Sequence, residues 1–146
     1  MGQKVNVRVY TILILMCLFS GCELLLRENY CSPYVAGELI LNDTLELRYG
    51  ELYCNSKFEI RLAVDSIQDS RCPKGMYCIW EGNGRVKINL LHDGLIASFW
   101  LNTHANFLQD TLIHGLRYEL IDLLPYPEVG QDYQLGDVRV LMRISD

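Results

Sequence analysis

Residues 85–100 read RVKINLLHDGLIASFW and contain the clearest hairpin pattern in the chain. Every second residue from Val86 to Leu90 is apolar, which is the two-residue period of a half-buried strand. Residues 92–94, His-Asp-Gly, then supply a turn whose glycine accepts a positive φ. Alternation resumes over 96–100. The stretch therefore predicts two antiparallel strands joined by a tight turn.

The same period recurs on both sides of this hairpin. Alternating apolar residues mark further strands at 45–49, 58–64, 116–120 and 138–144. No long window has a convincing helical period, although Leu112–Leu124 is ambiguous because its alternation breaks after Leu120, and a short helical turn would also fit there. We therefore expect an all-β fold of about seven strands, either an antiparallel β-sandwich or a partly open barrel, stapled by disulfides.

The N-terminus has the residue order of an export signal. Lys4 and Arg8 precede an apolar run from Val9 to Phe19. This run is shorter than the roughly 20 residues that a helix needs to span a bilayer. We therefore expect residues 1–21 to be a cleaved signal peptide and not a permanent membrane anchor.

Cys22 closes a motif that resembles the lipobox of bacterial lipoproteins. The motif reads Leu18-Phe19-Ser20-Gly21-Cys22, and in lipoproteins a peptidase cuts before a cysteine that carries a diacylglycerol thioether. The resemblance implies lipidation of Cys22. Residues 22–36, which lack sustained periodicity, are then expected to be the lipidated tether, and the strand patterns place the β-sandwich domain at 37–146. The alternative is an ordinary signal peptide followed by a disulfide cysteine. Glu23 does not resemble the Asp that retains some lipoproteins at the inner membrane, so we expect a cell-envelope location at the outer membrane.

The cysteine count agrees with lipidation. The chain has six cysteines, and if Cys17 leaves with the signal and Cys22 takes lipid, an even set remains for disulfides in an oxidising compartment. That set is Cys31, Cys54, Cys72 and Cys78. We expect the pairs 31–54 and 72–78, while bridges from Cys31 to Cys72 or Cys78 stay open. The four spacings contain no CxxC unit, so a zinc site is not expected.

The charge balance argues against nucleic acid as a partner. Removal of the signal peptide takes away Lys4 and Arg8, which leaves 11 bases against 18 acids and a net charge near −7. Nucleic-acid binding depends on neutralising phosphates with Lys and Arg. The acids are dispersed along the sequence, so we expect them to form a solvated surface. Contact with a membrane is expected through the N-terminal lipid.

The most distinctive stretch is residues 69–84, DSRCPKGMYCIWEGNG. Pro73, Lys74 and Gly75 favour a tight turn within a Cys72–Cys78 bridge. The flanking Asp69 and Arg71 have two interpretations: they pair with one another and satisfy backbone donors, or they display their charges at a binding edge. The candidate binding residues of this stretch are Asp69, Arg71, Lys74, Met76, Tyr77 and Trp80.

This stretch also carries a family resemblance. The order Asp-Ser-Arg-Cys-Pro, four residues, Cys, one residue, Trp, one residue, Gly runs from Asp69 to Gly82, and Leu-Pro-Tyr-Pro follows at 124–127. Over residues 45–144 the chain resembles a functionally uncharacterised family of small exported bacterial proteins, many of them lipoproteins. The resemblance implies a β-rich exported domain and no known catalytic or binding residues.

Catalytic patterns are missing from the sequence. The three histidines are His92, His104 and His114. No Gly-x-Ser-x-Gly elbow accompanies them, and no glycine-rich phosphate loop opens a helix. We therefore predict no catalytic residue, metal or cofactor.

These features predict a membrane-tethered, noncatalytic envelope lipoprotein whose β domain binds a protein, a glycan or a small ligand. The alternative is an inhibitor or immunity-like lipoprotein that presents the Cys72–Cys78 loop to an enzyme through Lys74, Met76 and Tyr77. A third hypothesis, an enzyme of unrecognised type, would need acids or histidines clustered in a pocket.

Overall fold

The structure, a computed structural model, describes residue 31 and residues 34–146. Residues Pro33–Asp146 form one compact unit. Of the other unit, Met1–Ser32, only Cys31 is described. The predicted signal peptide over 1–21 and the predicted lipidation site Cys22 lie outside the described residues.

The described residues form nine strands in two sheets. The first sheet has the order β1 (Gly37–Glu38), β3 (Leu52–Asn55), β4 (Ile60–Asp69), β5 (Gly84–His92) and β6 (Leu95–Asn102), and the second has the order β2 (Thr44–Arg48), β9 (Arg139–Ser145), β8 (Leu116–Leu124) and β7 (Asp110–Ile113). The pair β1–β3 is parallel and all other neighbouring pairs are antiparallel. The predicted all-β sandwich is confirmed, and the hairpin predicted over 85–100 is β5–β6.

One core lies between the two sheets. In β5, burial alternates along the strand, so that Val86, Ile88 and Leu90 point inward. The second sheet supplies matching inward residues, among them Tyr118, Met142 and Ile144. Each such side chain contributes roughly 1.5–3 kcal/mol when it is fully removed from water.

A β-bulge accounts for the ambiguous segment Leu112–Leu124. The register of β8 against β9 shifts between Leu120 and Asp122. The extra residue changes the phase of the strand, so that Leu120 and Leu123 are both buried while Ile121 is exposed. The helical turn considered for this segment is therefore wrong. The described residues contain a single 3-10 turn, Leu135–Asp137, and no helix among them is long and apolar enough to cross a membrane.

Three short strands were not predicted from the sequence. β1, β3 and β7 contain two to four residues each. A run this short cannot establish a two-residue period. These extra strands lie toward the edges of the two sheets and widen them without changing the sandwich architecture.

Candidate functional site

The predicted site lies in the connection from β4 to β5. A disulfide joins Cys72 to Cys78, and we call residues 72–78 the disulfide loop. Cys31 and Cys54 are also disulfide-bonded. All four cysteines predicted to form disulfides therefore do so, and the alternative bridges from Cys31 to Cys72 or Cys78 are wrong because those two bond to each other.

Arg71 stands at the base of the disulfide loop and is only 6% exposed. Its Nη2 and Nε donate to Asp69 Oδ2 and Oδ1 at 2.6 and 2.9 Å. Its Nη1 donates to Asp122 Oδ1 at 2.7 Å, and its guanidinium lies 4.6 Å from the centre of the Tyr126 ring. A buried charge needs this degree of pairing, because an isolated one is very unfavourable in a low-dielectric interior. Arg71 thus ties the loop to β8 and to the segment that follows it.

These contacts decide between the two interpretations of Asp69 and Arg71. The pair binds internally, and Asp69 Oδ1 also accepts the backbone N–H of Arg71 at 3.1 Å. The alternative, in which both charges are displayed at a binding edge, is wrong for Arg71. Its guanidinium is buried and is already bonded to the carboxylates of Asp69 and Asp122. The Asp69–Arg71 pair therefore stabilises the base of the loop.

The two stems of the connection touch at Gly82. Cys72 N donates to Glu81 O at 2.8 Å, and Ser70 N donates to Asn83 O at 2.9 Å. Between these bonds Gly82 has φ +78°, and a Cβ added there would lie 2.0 Å from the carbonyl oxygen of Ser70. Only glycine fits this approach. The stems are therefore closed by backbone contact as well as by the disulfide.

The opposite side of the disulfide loop is attached to residues 127–129. Lys74 N donates to Pro127 O at 2.9 Å, and Val129 N donates to Lys74 O at 3.3 Å. The Lys74 ammonium also lies 3.2 Å from Glu128 Oε1, but both side chains are largely exposed. A surface pair of this kind adds little stability. The backbone bonds are what hold the loop here.

The last part of the disulfide loop and the residue that follows Cys78 are apolar and open to solvent. Met76, Tyr77 and Ile79 are 57%, 107% and 108% exposed, and we call these three side chains the loop tip. Large apolar side chains that are exposed together on a held loop are a feature of interaction sites. The structure thus leaves the predicted Met76 and Tyr77 available for contact and adds Ile79, which the sequence patterns did not single out.

Trp80 belongs to an aromatic cluster beside the loop. The imidazole of His104 lies 5.7 Å from the rings of both Trp80 and Phe107. Its Nε2 lies 2.8 Å from Glu81 Oε1, and its Nδ1 accepts the backbone N–H of Asn106 at 3.1 Å. Because Nδ1 is an acceptor, the proton of the neutral ring sits on Nε2 and points at Glu81.

This histidine lines a groove of about 400 Å³ together with Glu81 and Asp122. Both ring nitrogens of His104 are engaged, and Asp122 is held by Arg71 and by the backbone N–H of Leu123. The groove therefore brings one histidine and two carboxylates together, which is the clustering that the hypothesis of an enzyme of unrecognised type requires. No sequence motif had linked His104 to Glu81, because the contact spans two loops.

A second buried polar pair lies at the other end of β5. The hydroxyl of Tyr118 is 2.9 Å from His92 Nδ1, and both side chains are buried. Burial lowers the pKa of His92, with His114 lowering it further and Asp93 opposing, and burial raises the pKa of Tyr118. His92 is therefore held neutral inside the sandwich, where it satisfies Tyr118.

Within residue 31 and residues 34–146, no group of three or more His, Cys, Asp or Glu side chains could hold a metal ion. No protein-family model, curated protein or solved structure matches this chain.

Proposed function

We propose that the protein is a noncatalytic lipoprotein of the cell envelope, tethered to the outer membrane through lipidated Cys22, and that its β-sandwich binds a partner protein through the loop tip. The observation that carries this proposal is the exposure of Met76 and Tyr77 on a loop that is fixed at its base, and of Ile79 directly after it. Apolar and aromatic anchors of this type dominate the energy of many protein interfaces.

The fixed base matters for affinity. Ordering a flexible loop on binding costs about 0.5–1.5 kcal/mol for each immobilised side chain. The Cys72–Cys78 disulfide, the Arg71 ion pairs and the backbone bonds at Lys74 hold this loop before any partner arrives. A larger share of the contact energy is then available as affinity.

Crosslinking from the loop tip tests the partner. We would place a photoreactive phenylalanine at Tyr77 in cells that express the full chain, with Leu112 as the matched control. Leu112 is also exposed but lies on β7 in the second sheet. We expect a discrete protein adduct from position 77 and none from position 112, and loss of the adduct in the Met76→Ser/Ile79→Ser double variant. Equal adducts from both positions, or adducts that survive the double variant, would contradict the proposal.

A second candidate is an inhibitor or immunity-like lipoprotein whose partner is an enzyme. The exposure of Lys74, Met76 and Tyr77 along one closed loop favours it, because such a loop is shaped to enter a cleft. If the crosslinked partner is an enzyme, adding the protein should abolish its activity, and Cys72→Ser/Cys78→Ser should restore it. Full activity of the partner in the complex would leave the binding function and remove the inhibitory one.

The tether is tested separately by mass. Intact protein extracted from membranes should carry diacylglycerol on Cys22, and Cys22→Ser should release the chain from the membrane fraction. An unlipidated Cys22 in membrane-extracted protein would remove the lipoprotein part of the proposal.

A further inference from the structure

A cleft next to the disulfide loop has the chemistry of a sugar site. It measures about 300 Å³ and lies where β4, β5 and β6 approach the loops at their ends. Gln68, Arg85 and Asn102 line it in register across the three strands. Trp80 and Phe107 line it from the two adjoining loops. A volume of this size is at the lower end of the ~300–1,000 Å³ found for small-molecule sites.

The polar side chains of the cleft are held in place by one another. Arg85 Nε donates to Gln68 Oε1 at 2.8 Å, and the guanidinium lies 4.7 Å from the centre of the Trp100 ring. Asn102 is fixed by Asn83, whose Nδ2 donates to Asn102 Oδ1 at 2.9 Å. Such mutual bonds reduce the ordering cost on ligand binding.

Several donors in this cleft remain available. Arg85 Nη1, Gln68 Nε2 and the indole N–H of Trp80 have no hydrogen-bond partner among the described residues. All three residues are exposed to solvent. They can donate to the hydroxyl groups of a ligand.

We propose that this cleft binds a neutral saccharide, with a pyranose ring against the Trp80 indole and its hydroxyls on Gln68 and Arg85. A pyranose has an apolar C–H face and a hydroxyl edge, and an aromatic wall beside amide and guanidinium donors matches both. A neutral ligand fits the local charge balance, because the carboxylates of Asp69 and Asp122 are matched by the guanidinium groups of Arg71 and Arg85. The site goes beyond the proposed partner binding and uses none of the three loop-tip side chains.

The test uses the full lipidated chain in a detergent without a sugar headgroup. Maltotriose and the trimer of N-acetylglucosamine serve as probes in saturation-transfer difference NMR, which observes the sugar and works with every variant. At about 10 mM of each probe, a site with a dissociation constant near 1 mM is about 90% occupied. We expect ring protons of at least one probe to receive saturation from the wild-type protein.

Two variants and a control locate the site. Trp80→Ala and Phe107→Ala should each reduce the signal at least fivefold, while Ile79→Ala, which alters the exposed neighbour of Trp80 outside the cleft, should leave it unchanged. Far-UV circular dichroism verifies that each variant is folded. No signal from either probe with the wild type, or undiminished signals in both aromatic variants, would overturn the sugar site. The Met76→Ser/Ile79→Ser variant should still bind sugar, so failure of the partner proposal is distinguishable from failure of this one.

Discussion

The base and the tip of the disulfide loop invert the usual distribution of polar and apolar groups. At the base the charged Arg71 is buried, and at the tip the apolar Tyr77 and Ile79 are fully exposed. The buried charge is tolerated because two carboxylates and a ring surround it. The tip needs no packing of its own because the base already holds the loop. Order in this loop therefore comes from its charged and covalent contacts, while its apolar residues are left for binding.

Removing the buried charge should have the largest effect on stability. Arg71→Met leaves Asp69 and Asp122 close together without their cation, and we expect a loss of about 3–5 kcal/mol in the free energy of unfolding. Urea denaturation measures it. Arg117→Met is the control, because its pair with Asp110 is at the surface and its loss should cost no more than about 1 kcal/mol. Equal losses in the two variants would show that Arg71 does not hold the loop.

The second largest loss of stability is expected when the contact between the two stems of the loop is disturbed at Gly82. Gly82→Ala and Gly94→Ala both place a side chain at positive φ, but only at Gly82 does the new Cβ meet backbone. We expect Gly94→Ala to cost about 1 kcal/mol and Gly82→Ala at least twice as much. Thermal unfolding of the two variants compares them. Similar melting temperatures would mean that the stems can separate without penalty.

Outside the loop, the buried His92 should make the free energy of unfolding depend on pH. The pKa of His92 in the folded protein is below its ordinary value of 6.5, so the unfolded chain binds the proton more readily than the folded chain. Stability from this residue is full above pH 6.5 and is lost as the pH falls below it, with a slope of at most about 1.4 kcal/mol per pH unit. His92→Gln should flatten urea-denaturation free energies between pH 7 and pH 5. An unchanged slope in the variant would assign the acid sensitivity to other groups.

The smallest stability effect is expected at the tip itself. Met76→Ser/Ile79→Ser removes two exposed apolar side chains, and we expect the free energy of unfolding to change by less than about 0.5 kcal/mol. The same double variant should abolish the crosslink from Tyr77. A large loss of stability would mean that the tip packs against the fold, and that binding and folding are not separate here.

The fold followed from local patterns, whereas the contacts of the site did not. The alternation over 85–100 and 138–144 predicted strands that the structure contains. Successive side chains of a strand point to opposite faces of the sheet, so the pattern of burial can be read from the strand's own sequence. The bulge at Leu120 looked like a helical turn, since both break the same alternation. Periodicity cannot show long-range ionic contacts, and Arg71 meets Asp122 across 51 residues of chain.

The exposure of Ile79 was not predicted from the sequence. A large apolar residue is expected inside a fold unless other contacts hold its segment. The disulfide between Cys72 and Cys78 was readable from the cysteine count. Its partners in holding the loop, the Pro127 and Val129 backbone bonds, come from a distant segment. Sequence reasoning therefore found the loop, its bridge and the exposed candidates Met76 and Tyr77, but it did not find Ile79 or the contacts that hold the loop.

The most direct test of a fixed loop with an exposed tip is a measurement of backbone ¹⁵N order parameters at Met76, Tyr77 and Ile79, in the wild type and in Cys72→Ser/Cys78→Ser. We predict values near 0.85 in the wild type, as for a rigid backbone, and a fall toward about 0.6 when the disulfide is absent. Values below about 0.6 in the wild type would contradict the account, because a mobile tip would have to be ordered by its partner.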